Sequence, residues 1–161
     1  MTTDDVKKSH IVIVDDEATN IRMLSSALRE EYEITIAKDG KQAIKTIEKD
    51  ADAIDLILLD IIMPGPSGYE VCSTLKQTKE TKHIPIIFIT GKSSPENEEK
   101  GFDLGAADYI TKPFNLSVVK ARVKTHVTLK LYHDFMKKLI SEQSLKIDKS
   151  EKEYRRLFTS L

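Results

Sequence analysis

Four short apolar runs punctuate the first two-thirds of the chain, at Ile11–Val14, Ile34–Ala37, Leu56–Leu59 and Ile86–Ile89, with a weaker fifth at Tyr109–Ile110. The runs at Leu56–Leu59 and Ile86–Ile89 are continuously apolar instead of alternating, a pattern that belongs to strands covered on both faces and hence to a parallel sheet. Between the runs the apolar residues change to helical spacing. Ile21, Leu24 and Leu28 fall at i, i+3 and i+7, Ala43, Ile44 and Ile47 form a second stripe, and Val71, Cys72 and Leu75 a third. The segment Pro95–Leu104 is charged and contains Gly101, so its helix is expected to be marginal. Val119, Val123, Val127 and Leu131 make a longer row at i+4. Strand and helix thus alternate five times, which predicts an α/β fold: a doubly wound, five-stranded parallel sheet with right-handed crossovers.

The last third follows a different pattern. From Asn115 onward there is no proline or glycine, and helix formers dominate. With Leu129 at a, a heptad frame places Leu129, Met136, Gln143, Ser150 and Leu157 at a and His133, Ile140, Ile147, Tyr154 and Leu161 at d. Most are apolar, and His133, Gln143 and Ser150 interrupt the seam. A coiled-coil-like helix and a solvated, frayed tail both fit this pattern. A continuous helix over Asn115–Leu161 would reach on the order of 70 Å at about 1.5 Å per residue, a rod for which a compact domain has no internal use.

Composition narrows the classes. The chain has 161 residues, 40% of them hydrophobic, enough for one domain with a core and some length beyond it. Basic and acidic residues nearly cancel, 25 against 26, so bulk charge gives no reason to expect contact with nucleic acid or an anionic membrane. A single cysteine, Cys72, excludes an internal disulfide framework and fits a reducing compartment. No apolar run is long enough to span a bilayer, and Met1–Ser9 lacks a hydrophobic signal core. The expectation is a cytoplasmic protein.

Open α/β sheets place their chemistry at the carboxyl ends of the strands. Asp15 and Asp16 follow the first strand, Asp60 the third, Thr90 and Gly91 the fourth, and Thr111, Lys112 and Pro113 the fifth. The second is followed by Lys38, Asp39 and Gly40, which read as a helix start. Singly, each has a plain structural reading. Asp15 and Asp16 suit a helix cap, Asp60 a turn, Thr90 a strand end, and Lys112 a solvated surface. Together they bring three carboxylates, a hydroxyl and an ammonium to one edge. Clustered carboxylates resist ionisation unless a cation offsets them, and oxygen ligands with room for water suit Mg²⁺ better than zinc or copper. A divalent ion, a carboxylate nucleophile and a lysine are the components that forming an aspartyl phosphate requires.

The Asp15-Asp16 pair, the Asp60-Ile-Ile-Met-Pro64 run with Gly68, Thr90-Gly91 and Lys112-Pro113 resemble, in this order, the bacterial two-component receiver domain. The resemblance covers residues 9–131 and implies a flavodoxin-like fold in which Asp60 is the phosphoacceptor. It further implies that Asp16 binds Mg²⁺ directly, that Asp15 acts largely through water, and that Asp60 and the Ile62 backbone carbonyl complete the metal site. Thr90 would close on the phosphoryl group, Lys112 would neutralise it, Tyr109 would rotate inward on activation, and the Lys112–Pro113 bond would be cis. The partner would be a sensor histidine kinase or a phosphotransfer protein. Residues 101–114 resemble receivers joined to cyclic-dinucleotide enzymes or sensor modules, and Glu151–Leu161 is similar to the opening of a PAS domain. Residues 132–161 then read as an extended helical linker that enters a following domain, with a homodimer formed through the terminal helix.

Other signals carry less. Gly91-Lys92-Ser93 lacks the earlier glycine of a P-loop, since Ile86 stands there. His10, His83, His126 and His133 have no metal-ligand spacing with a cysteine, and Cys72 reads as a core filler. The signalling switch therefore leads, with no enzymatic activity beyond its own phosphorylation and dephosphorylation. A degenerate docking module and a small Mg²⁺-dependent phosphohydrolase are the alternatives.

Overall fold

The computed structural model of the protein describes residues 6–91 and 95–160. Leu161 of the heptad frame and the Lys92-Ser93 pair lie outside them. Five strands form one parallel sheet: β1 (His10–Val14), β2 (Glu33–Ala37), β3 (Leu56–Asp60), β4 (Ile86–Thr90) and β5 (Asp108–Thr111), in the order β2-β1-β3-β4-β5. The helices between them are α1 (Ala18–Leu28), α2 (Gly40–Lys49), α3 (Gly68–Gln77) and α4 (Pro95–Asp103), and α5 (Leu116–Thr159) follows β5. The doubly wound α/β fold expected from the alternation of periods is the one observed.

Two apolar cores sandwich the sheet, because successive side chains of a strand point to opposite faces. On one face Val12, Val14, Ile57, Leu59, Ile86 and Phe88 pack with Ala43 and Ile47 of α2 and Val71, Cys72 and Leu75 of α3. On the other, Ile11, Ile13, Leu56, Leu58, Ile87 and Ile89 meet Leu24 and Leu28 of α1 and Val119, Val123 and Val127 of α5. Every residue of β3 and β4 is buried, which explains why their sequences are apolar without alternation. Cys72 is buried and raised to about 11, chiefly by that burial, so it is a core thiol and not a nucleophile.

Local chemistry sets the helix starts. Asp39 caps α2 by accepting the Gln42 N–H at 2.8 Å. Ser67 opens α3 with a capping box: its hydroxyl accepts the Glu70 N–H, and the Glu70 carboxylate accepts the Ser67 N–H.

The chain divides into two compact units, Met1–Val127 and Thr128–Leu161. The i+4 row of α5 is buried at Val119, Val123 and Val127, but Leu131, expected to continue it, is 48% exposed. A row at i+4 drifts about 40° around the helix at each step, so three steps carry position 131 well off the face of position 119. Within the second unit Leu129, Met136, Ile140, Ile147, Tyr154 and Leu157 are all exposed, as are Tyr132, Phe135 and Phe158.

Candidate functional site

The chain leaves β1 toward β2 on one side and takes up β3 on the other, so the carboxyl ends of β1 and β3 flank the crevice where doubly wound sheets bind ligands. Asp60 is the last residue of β3, and Asp15 and Asp16 directly follow β1. Asp15 and Asp60 are buried and Asp16 is exposed. One carboxylate oxygen from each of the three lies within 4.8 Å of the others. From the end of β5, Lys112 sends its ammonium to 3.6 Å from Asp15 Oδ2 and 3.4 Å from Asp60 Oδ1. Its backbone N–H donates to the Thr90 carbonyl at 2.8 Å, which ties the ends of β4 and β5 together. Thr90 is buried at the end of β4, the Lys112–Pro113 bond is cis, and the Ile62 side chain is 61% exposed. The strand ends thus converge as the sequence implied.

Asp15 and Asp16 are not helix caps. The N-cap of α1 is Glu17, which makes no side-chain cap bond. Asp15 Oδ1 accepts the Glu17 N–H at 2.9 Å, whereas the buried Oδ2 accepts no hydrogen bond. A buried carboxylate oxygen in that condition is costly unless a cation complements it. The Asp60 carboxyl is pushed up to about 6, first by burial and then by the charge of Asp15, with Lys112 and a backbone hydrogen bond from Ile62 pulling the other way. One ammonium therefore does not balance the buried acids. Oxygen donors only, excess negative charge and an unsatisfied Oδ2 all fit a hard divalent cation.

The loop carrying Asp60 is pressed against the start of α3. Gly68 donates its N–H to the Ile61 carbonyl at 2.8 Å, and a Cβ at Gly68 would stand 2.3 Å from the Asp60 carbonyl oxygen. Both surfaces are backbone, so only glycine fits.

Tyr109 points inward, 4% exposed, in the core of one sheet face. Its hydroxyl donates to the Asn97 carbonyl at 2.6 Å and lies 3.3 Å from the Tyr69 hydroxyl. Its phenol is raised above its ordinary range, chiefly by burial and then by the bond to Tyr69. Behind it Asp108 bonds His126 at 2.9 Å and pairs with Arg122, which also donates to the Tyr109 carbonyl. Sequence reasoning singled out neither Tyr69 nor the Asp108–Arg122–His126 group. His126 read as a surface or packing histidine, and only the packing of α5 beside β5 reveals its acidic partner.

Fold and site together define a phosphoacceptor signalling module, built on an open sheet with an acidic pocket at its switch point. The chain belongs to the response regulator receiver domain family, whose profile matches residues 11–124. It is 45% identical over 136 residues to a Vibrio cholerae protein named "Probable cyclic di-GMP phosphodiesterase", covering 84% of this chain and 30% of that protein. It is 38% identical over 127 residues to the response regulator PleD of Caulobacter vibrioides, covering 78% of this chain and 28% of PleD. The chain thus spans less than a third of either relative. The crystal structure of the chemotaxis response regulator CheY4 of Vibrio cholerae superposes with a TM-score of 0.70 at 28% identity, over 74% of this chain and 99% of that one. Receiver domains bind Mg²⁺ at an acidic cluster, and Asp15, Asp16 and Asp60 form such a cluster here. Receivers are phosphoacceptors that partner with histidine kinases or phosphotransfer proteins. Among the described residues no helix is long and apolar enough to cross a membrane.

Proposed function

We propose that Asp60 is the phosphoacceptor of this receiver and that Asp15, Asp16, Asp60 and the Ile62 carbonyl hold Mg²⁺. The observation that carries this reading is the pairing of a buried carboxylate, Asp60, with an unsatisfied Asp15 oxygen and an ammonium within 3.6 Å of both. When bound, the ion supplies the positive charge that phosphoryl transfer draws on. An Asp60 oxygen attacks phosphorus, the P–O bond forms as the donor's P–N bond breaks, and the electron pair leaves with the histidine imidazole. Lys112 offsets charge on the transferring oxygens, and the Thr90 hydroxyl bonds one of them. Tyr109 then reports the state of the site at the α4–β5 surface.

Residues 9–131 form the receiver in this reading. Residues 132–161 link it to an output module, of the PAS or cyclic-dinucleotide type that the terminal sequence and the Vibrio cholerae relative suggest. The exposed apolar stripe of the second unit pairs with a second copy of the chain, and the rod passes the receiver's state onward. The decisive measurement is incubation with acetyl phosphate and Mg²⁺ followed by mass spectrometry. Wild type gains one phosphoryl group on Asp60, and Asp60→Asn gains none. Labelling that survives in Asp60→Asn refutes the assignment.

A further inference from the structure

Gly101, in the last turn of α4, faces the ring of Tyr109. A Cβ at that position would come within 2.6 Å of Tyr109 Cε2, 3.0 Å of its hydroxyl and 3.1 Å of Phe88 Cδ2. In its inward position the ring is confined between aromatic neighbours. Phe88 packs on it with centroids 5.6 Å apart and Phe102 at 5.9 Å. A glycine inside a helix costs stability, so its presence here is explained by the space it leaves and not by local propensity.

The second contact comes from α3. Tyr69 packs edge-on against Phe88, with centroids 5.4 Å apart, and carries the Lys100 ammonium 4.5 Å above its ring. Its hydroxyl stands 3.3 Å from that of Tyr109 and 3.4 Å from the Asn97 carbonyl, so two phenols converge on one carbonyl of α4. Tyr109 donates to Asn97, which leaves its oxygen free to accept from Tyr69. Tyr69 also directly follows Gly68, the residue seated against the Asp60 carbonyl. The Gly68 N–H bond to the Ile61 carbonyl and the close backbone approach to Asp60 therefore seat the start of α3, and with it the Tyr69 backbone, against the Asp60 loop.

We propose that Tyr69 and Gly101 are positioning residues for Tyr109: Gly101 clears the seat of the inward ring, and Tyr69 latches its hydroxyl and connects it through Gly68 to the Asp60 loop. This rests on the reading of Asp60 as acceptor and Tyr109 as switch, and it adds a route between them that does not pass through Thr90. The latch weights the ring toward the inward position and leaves the rest of the shift to the phosphoryl group. Loss of one ordinary hydrogen bond changes the ratio of inward to outward rings about fivefold. Loss of the seat excludes the inward ring.

The test uses the full chain labelled with 3-fluorotyrosine and followed by ¹⁹F NMR, with the Tyr109 resonance assigned by Tyr109→Phe. Tyr132 and Tyr154, 65% and 64% exposed, mark the solvent position. In Tyr69→Phe the Tyr109 resonance is expected to move part of the way toward that position and to return when acetyl phosphate and Mg²⁺ are added. In Gly101→Ala it is expected to move fully and not to return. A Tyr109 resonance at its wild-type position in either variant overturns the role of that residue, and thermal melts check that both variants are folded. Absence of Asp60 labelling in wild type would instead defeat the acceptor reading, whatever the fluorine spectra show.

Discussion

At the scale of single residues, the energetics of the site are set by too much buried negative charge. The Asp60 carboxyl titrates at about 6 in the folded protein against an ordinary 3.8. A raised acid binds more protons folded than unfolded, so its contribution is present in full below the unfolded value and is lost as pH rises through about 6. In metal-free protein, the stability of Asp60→Asn relative to wild type should therefore increase by about 2 kcal/mol from about pH 4 to about pH 7. Urea denaturation of the two proteins across that range measures it, and a flat difference would show that Asp60 is not charge-strained. Addition of Mg²⁺ at neutral pH should stabilise wild type and leave Asp60→Asn much less affected. Gly68 gives a second prediction at this scale. Gly68→Ala sets a methyl group against the Asp60 and Ile61 backbone, which should cost about 2 kcal/mol and slow labelling by acetyl phosphate as the loop shifts. Wild-type stability and labelling in that variant would mean the loop has slack that the contact distances deny.

At the scale of elements, the site depends on how each strand end meets the next helix. The start of α3 matters most, because its first residue buttresses the acceptor loop. Its capping box satisfies helix N–H groups that would otherwise lack partners, with each side chain bonding the other's backbone. Ser67→Ala should cost about 1 kcal/mol in urea denaturation. Because Ser67 and Glu70 share one motif, adding Glu70→Ala should cost less than the sum of the single changes. Strict additivity would indicate two independent bonds and no box. The start of α1 shows the opposite economy. It has no side-chain cap, and Asp15 spends one oxygen on a local turn while the other stays unsatisfied in the acidic pocket. Local stability at this helix start has been given up to the site.

At the scale of the whole molecule, the open matter is the apolar surface of the second unit. Its exposed side chains include Tyr132, Phe135, Met136, Ile140, Ile147, Tyr154, Leu157 and Phe158. An isolated helix of this kind gains little from propensity, and burial of its apolar face is what would stabilise it. The full chain should dimerise at micromolar concentration in sedimentation equilibrium, and a chain ending at Leu131 should be monomeric. Equal association states for the two would place any dimer contact outside the tail. The polar Gln143 and Ser150 at a positions limit the strength of the pairing, which suits a helix whose packing responds to the receiver.

The alternation of strand and helix, the parallel sheet and the strand ends that carry chemistry were all legible in the order of residues along the chain. Hydrophobic period is a local property, and runs such as Leu56–Leu59 declare double burial without reference to their neighbours. The convergence of Asp15, Asp16, Asp60, Thr90 and Lys112 was legible for the same reason, since a parallel sheet brings all its carboxyl ends to one edge. Their roles in chemistry are what the labelling experiment tests. Other features depend on contacts between elements far apart in the chain. Leu131 continues a spacing rule in sequence yet lies exposed, because a row at i+4 winds off the buried face. Tyr69 has no periodic or motif signal of its function, and Gly101 reads only as a weak point in a marginal helix. Their meaning arises where α3, α4 and β5 meet, from ångström-scale contacts between residues 8 to 40 positions apart, which no local pattern encodes.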